Sequence, residues 1–234
     1  MQEEVLYYNI SMSEYLNNIF KKYPDRIDLD FQKAVVNTKK EVLGLKFSDI
    51  KQIAKDIYNT NNISILDSFT FETHEETVIY FILLIYYYKE NSLPKILEKI
   101  DEIDTWVVTD TIVPCSQYVK KNLDKYYPEF IRMLSSDKVF EARLGLVFLQ
   151  RFYNKSKYVD EIIKECLSHD YKEYYLIMGE AWLLCEFCIF NNHLIKDVVS
   201  KLDGDLKKYT IRKLLDSYRI SEDDKEYLKS IRWT

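Results

Sequence analysis

The stretch KVFEARLGLVFLQRF, residues 138–152, decides the fold. Phe140, Leu144, Val147, Phe148 and Phe152 fall at i, i+4, i+7, i+8 and i+12, which is one apolar stripe of an α-helix. Comparable long segments begin near Thr105 and Tyr171, with shorter helical segments between them. The short segments share a paired apolar signature: Ile96-Leu97, Phe130-Ile131, Ile162-Ile163 and Val198-Val199. The second members of these pairs are 34, 32 and 36 residues apart. Periods of that size mark solenoids, in which each helix pair buries its apolar face only by stacking on its neighbour. Toward the N-terminus, helices are expected over about Met12–Lys22, Asp28–Val36 and Ser48–Tyr58, the last with Ser48 as its N-cap. Pro94 and Pro128 fit the first turn of a helix, where a missing N–H costs nothing. Pro114 lies inside its segment and should kink or restart that helix.

Composition agrees with an all-α chain. Only 4 Gly and 4 Pro occur among 234 residues, too few for the tight turns that strands and hairpins require. With 47% hydrophobic residues the chain can bury a substantial core. No Pro- or Gly-rich linker interrupts it, so a single domain over residues 1–234 is expected. Glu3 and Glu4 oppose a secretory signal, and the longest apolar run, Thr77 to Tyr88, is short of the roughly 20 residues that span a bilayer. The expected location is therefore the cytoplasm, with no membrane partner and with Cys115, Cys166, Cys185 and Cys188 as thiols. Cys185 and Cys188 have the spacing of a metal half-site but lie in an apolar helical run with no second pair. Core packing is the expectation, and no metal or cofactor is assigned. His74, His169 and His193 are expected at surfaces or helix caps.

Net charge is −5, which disfavours a generic nucleic-acid binder, yet residues 115–157 hold nine Lys and Arg against four Asp and Glu. That asymmetry suits either a solvated face or a footprint for phosphates, the latter including Lys155 and Lys157. Three unusual residues occupy comparable places in the long segments: Trp106, Arg143 and Trp182, separated by 37 and 39 residues. A solenoid with this repeat would set them in a row along its inner surface. Trp106 and Asp110 are four residues apart and so share one helical face, which puts a carboxylate beside an indole.

The stretch Trp106-Val-Val-Thr-Asp110-Thr-Ile-Val-Pro114, the run Phe140-Glu-Ala-Arg143-Leu-Gly and the segment Tyr174-Tyr175-Leu-Ile-Met178-Gly-Glu-Ala-Trp182 resemble the DNA alkylation repair family of HEAT-like repeat proteins, the AlkD type. Leu43-Gly-Leu-Lys46 with Ile50–Lys55, and Asp216-Ser-Tyr218-Arg219-Ile-Ser221 with Asp224-Lys225, extend the resemblance over roughly residues 40 to 232. It implies a right-handed superhelix of HEAT-like helix pairs and a DNA glycosylase that hydrolyses the N-glycosidic bond of cationic N3- or N7-alkylated purines. The carried-over roles are Asp110 as the catalytic carboxylate, Trp106 and Trp182 as contacts to the lesion nucleotide's backbone and sugar, and Arg143 as a phosphate ligand. The implied partner is duplex DNA containing alkylated purines, bound by a monomer. Ile177 stands where related sequences tend to carry Lys, and Glu180 sets a carboxylate two residues before Trp182. Both are expected to weaken a phosphate-facing surface. The alternatives are a non-catalytic relative that recognises bent or branched DNA, and a protein-interaction scaffold with an apolar or acidic inner face.

Overall fold

The computed structural model describes residues 12–23 and 26–231, and every regular element among them is helical. Two isolated β-bridges, Arg26 with Leu45 and Glu41 with Thr73, are the only extended pairing among these residues. The chain divides into two compact units between Ser116 and Gln117.

The first unit contains α1 (Met12–Phe20), α2 (Leu29–Val36), α3 (Phe47–Asn59), α4 (His74–Tyr88), α5 (Ser92–Glu98) and α6 (Trp106–Ile112). Helix α4 is the centre of this unit. Its residues from His74 to Ile85 are all buried, and it packs against α3, α5 and α6. Its start is over-determined. The Thr73 hydroxyl caps the helix by accepting from Glu76 N at 3.1 Å, and the Glu76 carboxylate accepts from Thr70 N at 2.7 Å and Glu72 N at 2.9 Å. Glu75 points the other way and is fully buried. Its Oε1 accepts from the backbone N–H groups of Leu43, Gly44 and Leu45 at 3.1, 2.9 and 3.3 Å. The loop can wrap the carboxylate because Gly44 has φ +81°; a Cβ there would lie 2.8 Å from Leu29 Cδ2. The Leu43-Gly-Leu motif is thus a cradle for a buried carboxyl group. Burial raises the Glu75 pKa and these backbone donors oppose the rise.

Ser48 is the second residue of α3 and not its cap: Lys46 holds that position, and the Ser48 hydroxyl instead donates to Asp49 Oδ1 at 3.3 Å. His74 is buried, not superficial, and loss of solvent lowers its pKa to about 4. Pro94 does sit in the first turn of α5, and Pro114 does interrupt its segment. It lies in a 3-10 turn, Val113–Cys115, so α6 has only 7 residues.

The second unit contains α7 (Leu123–Leu134), α8 (Val139–Phe152), α9 (Val159–Cys166), α10 (Tyr174–Phe190), α11 (Ile195–Lys201), α12 (Gly204–Asp216) and α13 (Glu222–Ile231). Helices α8, α10 and α12 pack side by side in chain order. Helix α7 lies on α8, α9 on α7 and α10, and α11 on α10 and α12. The repeated apolar pairs supply the contacts, since Phe130, Ile162 and Val198 are each 0% exposed. Helices α7 and α8 approach so closely that a Cβ at Gly145 would lie 2.9 Å from Met133 Cβ and 3.0 Å from the Phe130 carbonyl. Pro128 is inside α7, beyond its first turn, because the Asn122 side chain accepts from Lys125 N at 3.2 Å and starts the helix earlier than expected. Helix α10 begins three residues later than expected. Tyr171 is held outside it, its hydroxyl donating to the Leu134 carbonyl at 2.7 Å and its ring stacked on His169.

Candidate functional site

In the first unit, the site residues Trp106 and Asp110 sit on α6, whose N-terminus is fastened to the end of α2. A helix leaves its last carbonyls without intrahelical partners, and α6 satisfies two of them. The Thr105 hydroxyl, at the N-cap of α6, donates to the Val36 carbonyl, and the Trp106 indole Nε1 donates to the Val35 carbonyl at 3.0 Å. One residue earlier, the Asp104 carboxylate accepts from the Thr38 hydroxyl at 2.8 and 2.7 Å and from Lys39 N at 2.8 Å. Asp104, Thr105 and Trp106 thus grip residues 35–39. The indole N–H is committed to the protein, so what Trp106 can offer a ligand is its partly exposed ring face.

Asp110 follows one turn later and is also partly exposed. Thr109, fully buried behind it, has its hydroxyl 3.0 Å from Asp110 Oδ1 and 2.8 Å from the Trp106 carbonyl. A hydroxyl carries one proton, so it serves one of these acceptors at a time. The shared face read from the four-residue spacing is present: an indole and a carboxylate one turn apart on a pinned helix.

In the second unit, Arg143 on α8 is 4% exposed, and its Nη1 donates to the Tyr175 carbonyl at 2.7 Å. The absence of a side chain at Gly179 makes room, since a Cβ there would lie 3.5 Å from that nitrogen. The Phe140 and Tyr175 rings meet at 5.6 Å beside it. The Phe140–Gly145 and Tyr174–Trp182 motifs are therefore two halves of one α8–α10 contact. Trp182, one turn beyond Met178, keeps part of its ring exposed.

Glu180 requires a correction. Its expected effect was a surface negative charge, yet it is 1% exposed, and burial raises its pKa to about 8. At neutral pH it carries a proton and adds no negative charge to the surface. Lys155 and Lys157 are both exposed but differ in what holds them. Lys155 Nζ lies 4.3 Å from the Phe190 ring centroid, whereas Lys157 Nζ is 3.1 Å from Asp124, which also accepts from the Tyr158 hydroxyl at 2.8 Å. Part of the positive excess in residues 115–157 is neutralised likewise by the pairs of Arg132 with Glu129 and Glu141.

Among the described residues no group of three or more His, Cys, Asp or Glu is placed to hold a metal, and no helix is long and apolar enough to cross a membrane. Cys185 and Cys188 are buried in α10, and burial pushes both thiols up to about 12. The grip residues Thr38 and Asp104 escaped the sequence reading, because nothing local links positions so far apart in the chain.

A family model described as DNA alkylation repair enzyme matches residues 16–213. The chain belongs to that family. No curated protein and no solved structure matches it significantly. The family match takes in Trp106, Asp110, Arg143, Lys155, Lys157 and Trp182, starts earlier than the resemblance read from the motifs, and stops short of Asp216–Ser221. Membership carries with it DNA alkylation repair, and hence DNA as the substrate.

Proposed function

We propose that the protein is a DNA glycosylase that excises cationic N3- or N7-alkylated purines from duplex DNA, with Asp110 as its catalytic carboxylate. The observation that carries this reading is the pairing on α6: a partly exposed indole and a partly exposed carboxylate, one turn apart, on a helix pinned to its neighbour by Asp104, Thr105 and Trp106. An alkylated purine already bears positive charge, so the bond from C1′ to the base nitrogen breaks with its electron pair leaving on the base. General-acid help is unnecessary. What remains is to stabilise the oxocarbenium-like sugar and to orient the water whose oxygen joins C1′. A carboxylate suits both tasks, and an indole face attracts cationic groups. This chemistry needs no deep pocket for a flipped base.

Trp106 and Trp182 contact the sugar and backbone of the lesion nucleotide through their ring faces. Arg143, seated on the α8–α10 contact beside Tyr175, contributes its positive charge toward a phosphate of the lesion strand. Lys155 and Lys157 add phosphate contacts. The helix pairs of the second unit form one stretch of a right-handed superhelix of HEAT-like repeats, and the protein acts as a monomer in the cytoplasm.

The test is release of 7-methylguanine from an alkylated duplex by the wild type and by Asp110→Asn, against spontaneous depurination. A charge acting about 4 Å from the developing cation at an effective dielectric of about 20 contributes about 4 kcal/mol, on the order of a thousandfold in rate. Loss of release with DNA binding retained is the expected result. An inactive wild type that still shifts bent or branched DNA would transfer the family's DNA-binding role to a non-catalytic reader of DNA shape.

A further inference from the structure

The face of α10 that bears Trp182 continues to the end of the helix. Trp182, Glu186 and Phe190 follow at four-residue spacing and so share one side of α10, with Phe190 about 12 Å along the axis from Trp182. Phe190 is 40% exposed, and two cations from separate loops converge on its ring. Lys155 Nζ, from the loop after α8, is 4.3 Å from the centroid, and the Arg219 guanidinium carbon, from the loop after α12, is 5.6 Å from it. The loop after α8 is tied to the end of α10, because Asn191 Nδ2 donates to the Asn154 carbonyl at 2.9 Å and to the Phe187 carbonyl at 2.9 Å. Arg219 also makes a two-pronged pair with Glu186, which leaves one net positive charge in the cluster. Cations near helix C-termini are ordinarily explained by the negative end of the helix dipole. That accounts for each residue alone. It does not account for two like charges gathered over one exposed ring, whose attraction for each offsets their mutual repulsion.

We propose that Lys155, Phe190 and Arg219 form a second phosphate-binding contact for duplex DNA. Phe190 holds the two cations together so that they take oxygens of one stretch of backbone. At a rise of about 3.4 Å per base pair, a separation of about 12 Å from Trp182 puts this contact within three to four base pairs of the nucleotide at Trp182. The register rests on the lesion contact assigned to Trp182 above; the phosphate contact itself does not require catalysis. Glu186 neutralises Arg219 in the free protein and so limits affinity for undamaged DNA.

The experiment is binding to a fluorescently labelled duplex with a central tetrahydrofuran abasic analogue, measured by anisotropy over a KCl series. Wild type, Lys155→Gln/Arg219→Gln and Glu186→Gln are compared. Two lost phosphate contacts should reduce the magnitude of the slope of log K against log salt by about 1.8, at about 0.9 per contact. Glu186→Gln should tighten binding at low salt and steepen the slope. On a duplex truncated just past the analogue on the Phe190 side, wild type and double variant should converge. If circular dichroism shows the double variant unfolded, Glu186→Gln and Phe190→Leu carry the comparison, with Phe190→Leu expected to weaken binding. Unchanged slopes in folded variants, or weaker binding by Glu186→Gln, would overturn the proposal. Measuring 7-methylguanine release in parallel separates the two readings. A reduced slope in a protein without glycosylase activity leaves the contact standing, and an active enzyme with unchanged slopes removes only the contact.

Discussion

Glu180→Gln tests how far burial governs the charge state of the helix that bears Trp182. Glu180 is 1% exposed on α10, its Oε1 has no hydrogen-bond partner among the described residues, and burial moves its pKa from 4.5 to about 8. Below pH 4.5 the folded and unfolded chains both hold the proton, and the group has no effect on stability. Between 4.5 and about 8 the unfolded chain releases it while the folded one retains it, so stability falls as pH rises. At about 1.4 kcal/mol per pH unit the whole span amounts to roughly 5 kcal/mol, of which about 3 to 4 kcal/mol falls between pH 5 and 8. Glutamine keeps the shape and removes the titration. Urea unfolding of both proteins across that range should therefore show the variant gaining on the wild type by about that amount, a midpoint shift on the order of 1 to 2 M. His74 works in the opposite sense. With its pKa lowered from 6.5 to about 4, it makes stability rise with pH across that interval. It is common to both proteins and cancels in the difference. Parallel stability curves for the two proteins would refute the argument, since they would mean that Glu180 ionises in the folded state.

Asp104→Ala removes the acceptor of Thr38 and Lys39 and should destabilise the first unit by about 3 kcal/mol, as expected for bonds to a charged group. With the other two tryptophans of the sequence, Trp182 and Trp233, replaced by Phe, the emission of Trp106 should shift to the red as its ring loosens. An unmoved spectrum would mean the grip does not set Trp106. Gly145→Ala should lower stability by about 2 kcal/mol despite the better helix propensity of alanine, because the contacts at 2.9 and 3.0 Å involve a Cβ and a backbone carbonyl that cannot swing away. A chemical-denaturation midpoint equal to or above wild type would count against that close approach of α7 and α8.

Much of the helical framework and one part of the candidate site were legible because they are local. The apolar stripe of residues 138–152 folds as α8, and the recurring pairs led by Phe130, Ile162 and Val198 are buried between helices, since helical periodicity is set within a few residues. The shared face of Trp106 and Asp110 was readable for the same reason. Boundaries failed where a side chain outside the helix intervened: Asn122 starts α7 early enough to enclose Pro128, and Tyr171 is held out of α10 by the Leu134 carbonyl.

By itself, then, the sequence determined the all-helical class, the repeat of apolar pairs and the motifs that mark its family, while the central helix α4 was read only as an apolar run. Those properties depend on spacing along one chain. Only the tertiary structure decided that Asp104 grips Thr38 and that Arg143 is buried against Tyr175, because these partners lie 66 and 32 residues apart. It also decided that Glu180 keeps its proton at neutral pH, because ionisation depends on the solvent a folded neighbourhood removes.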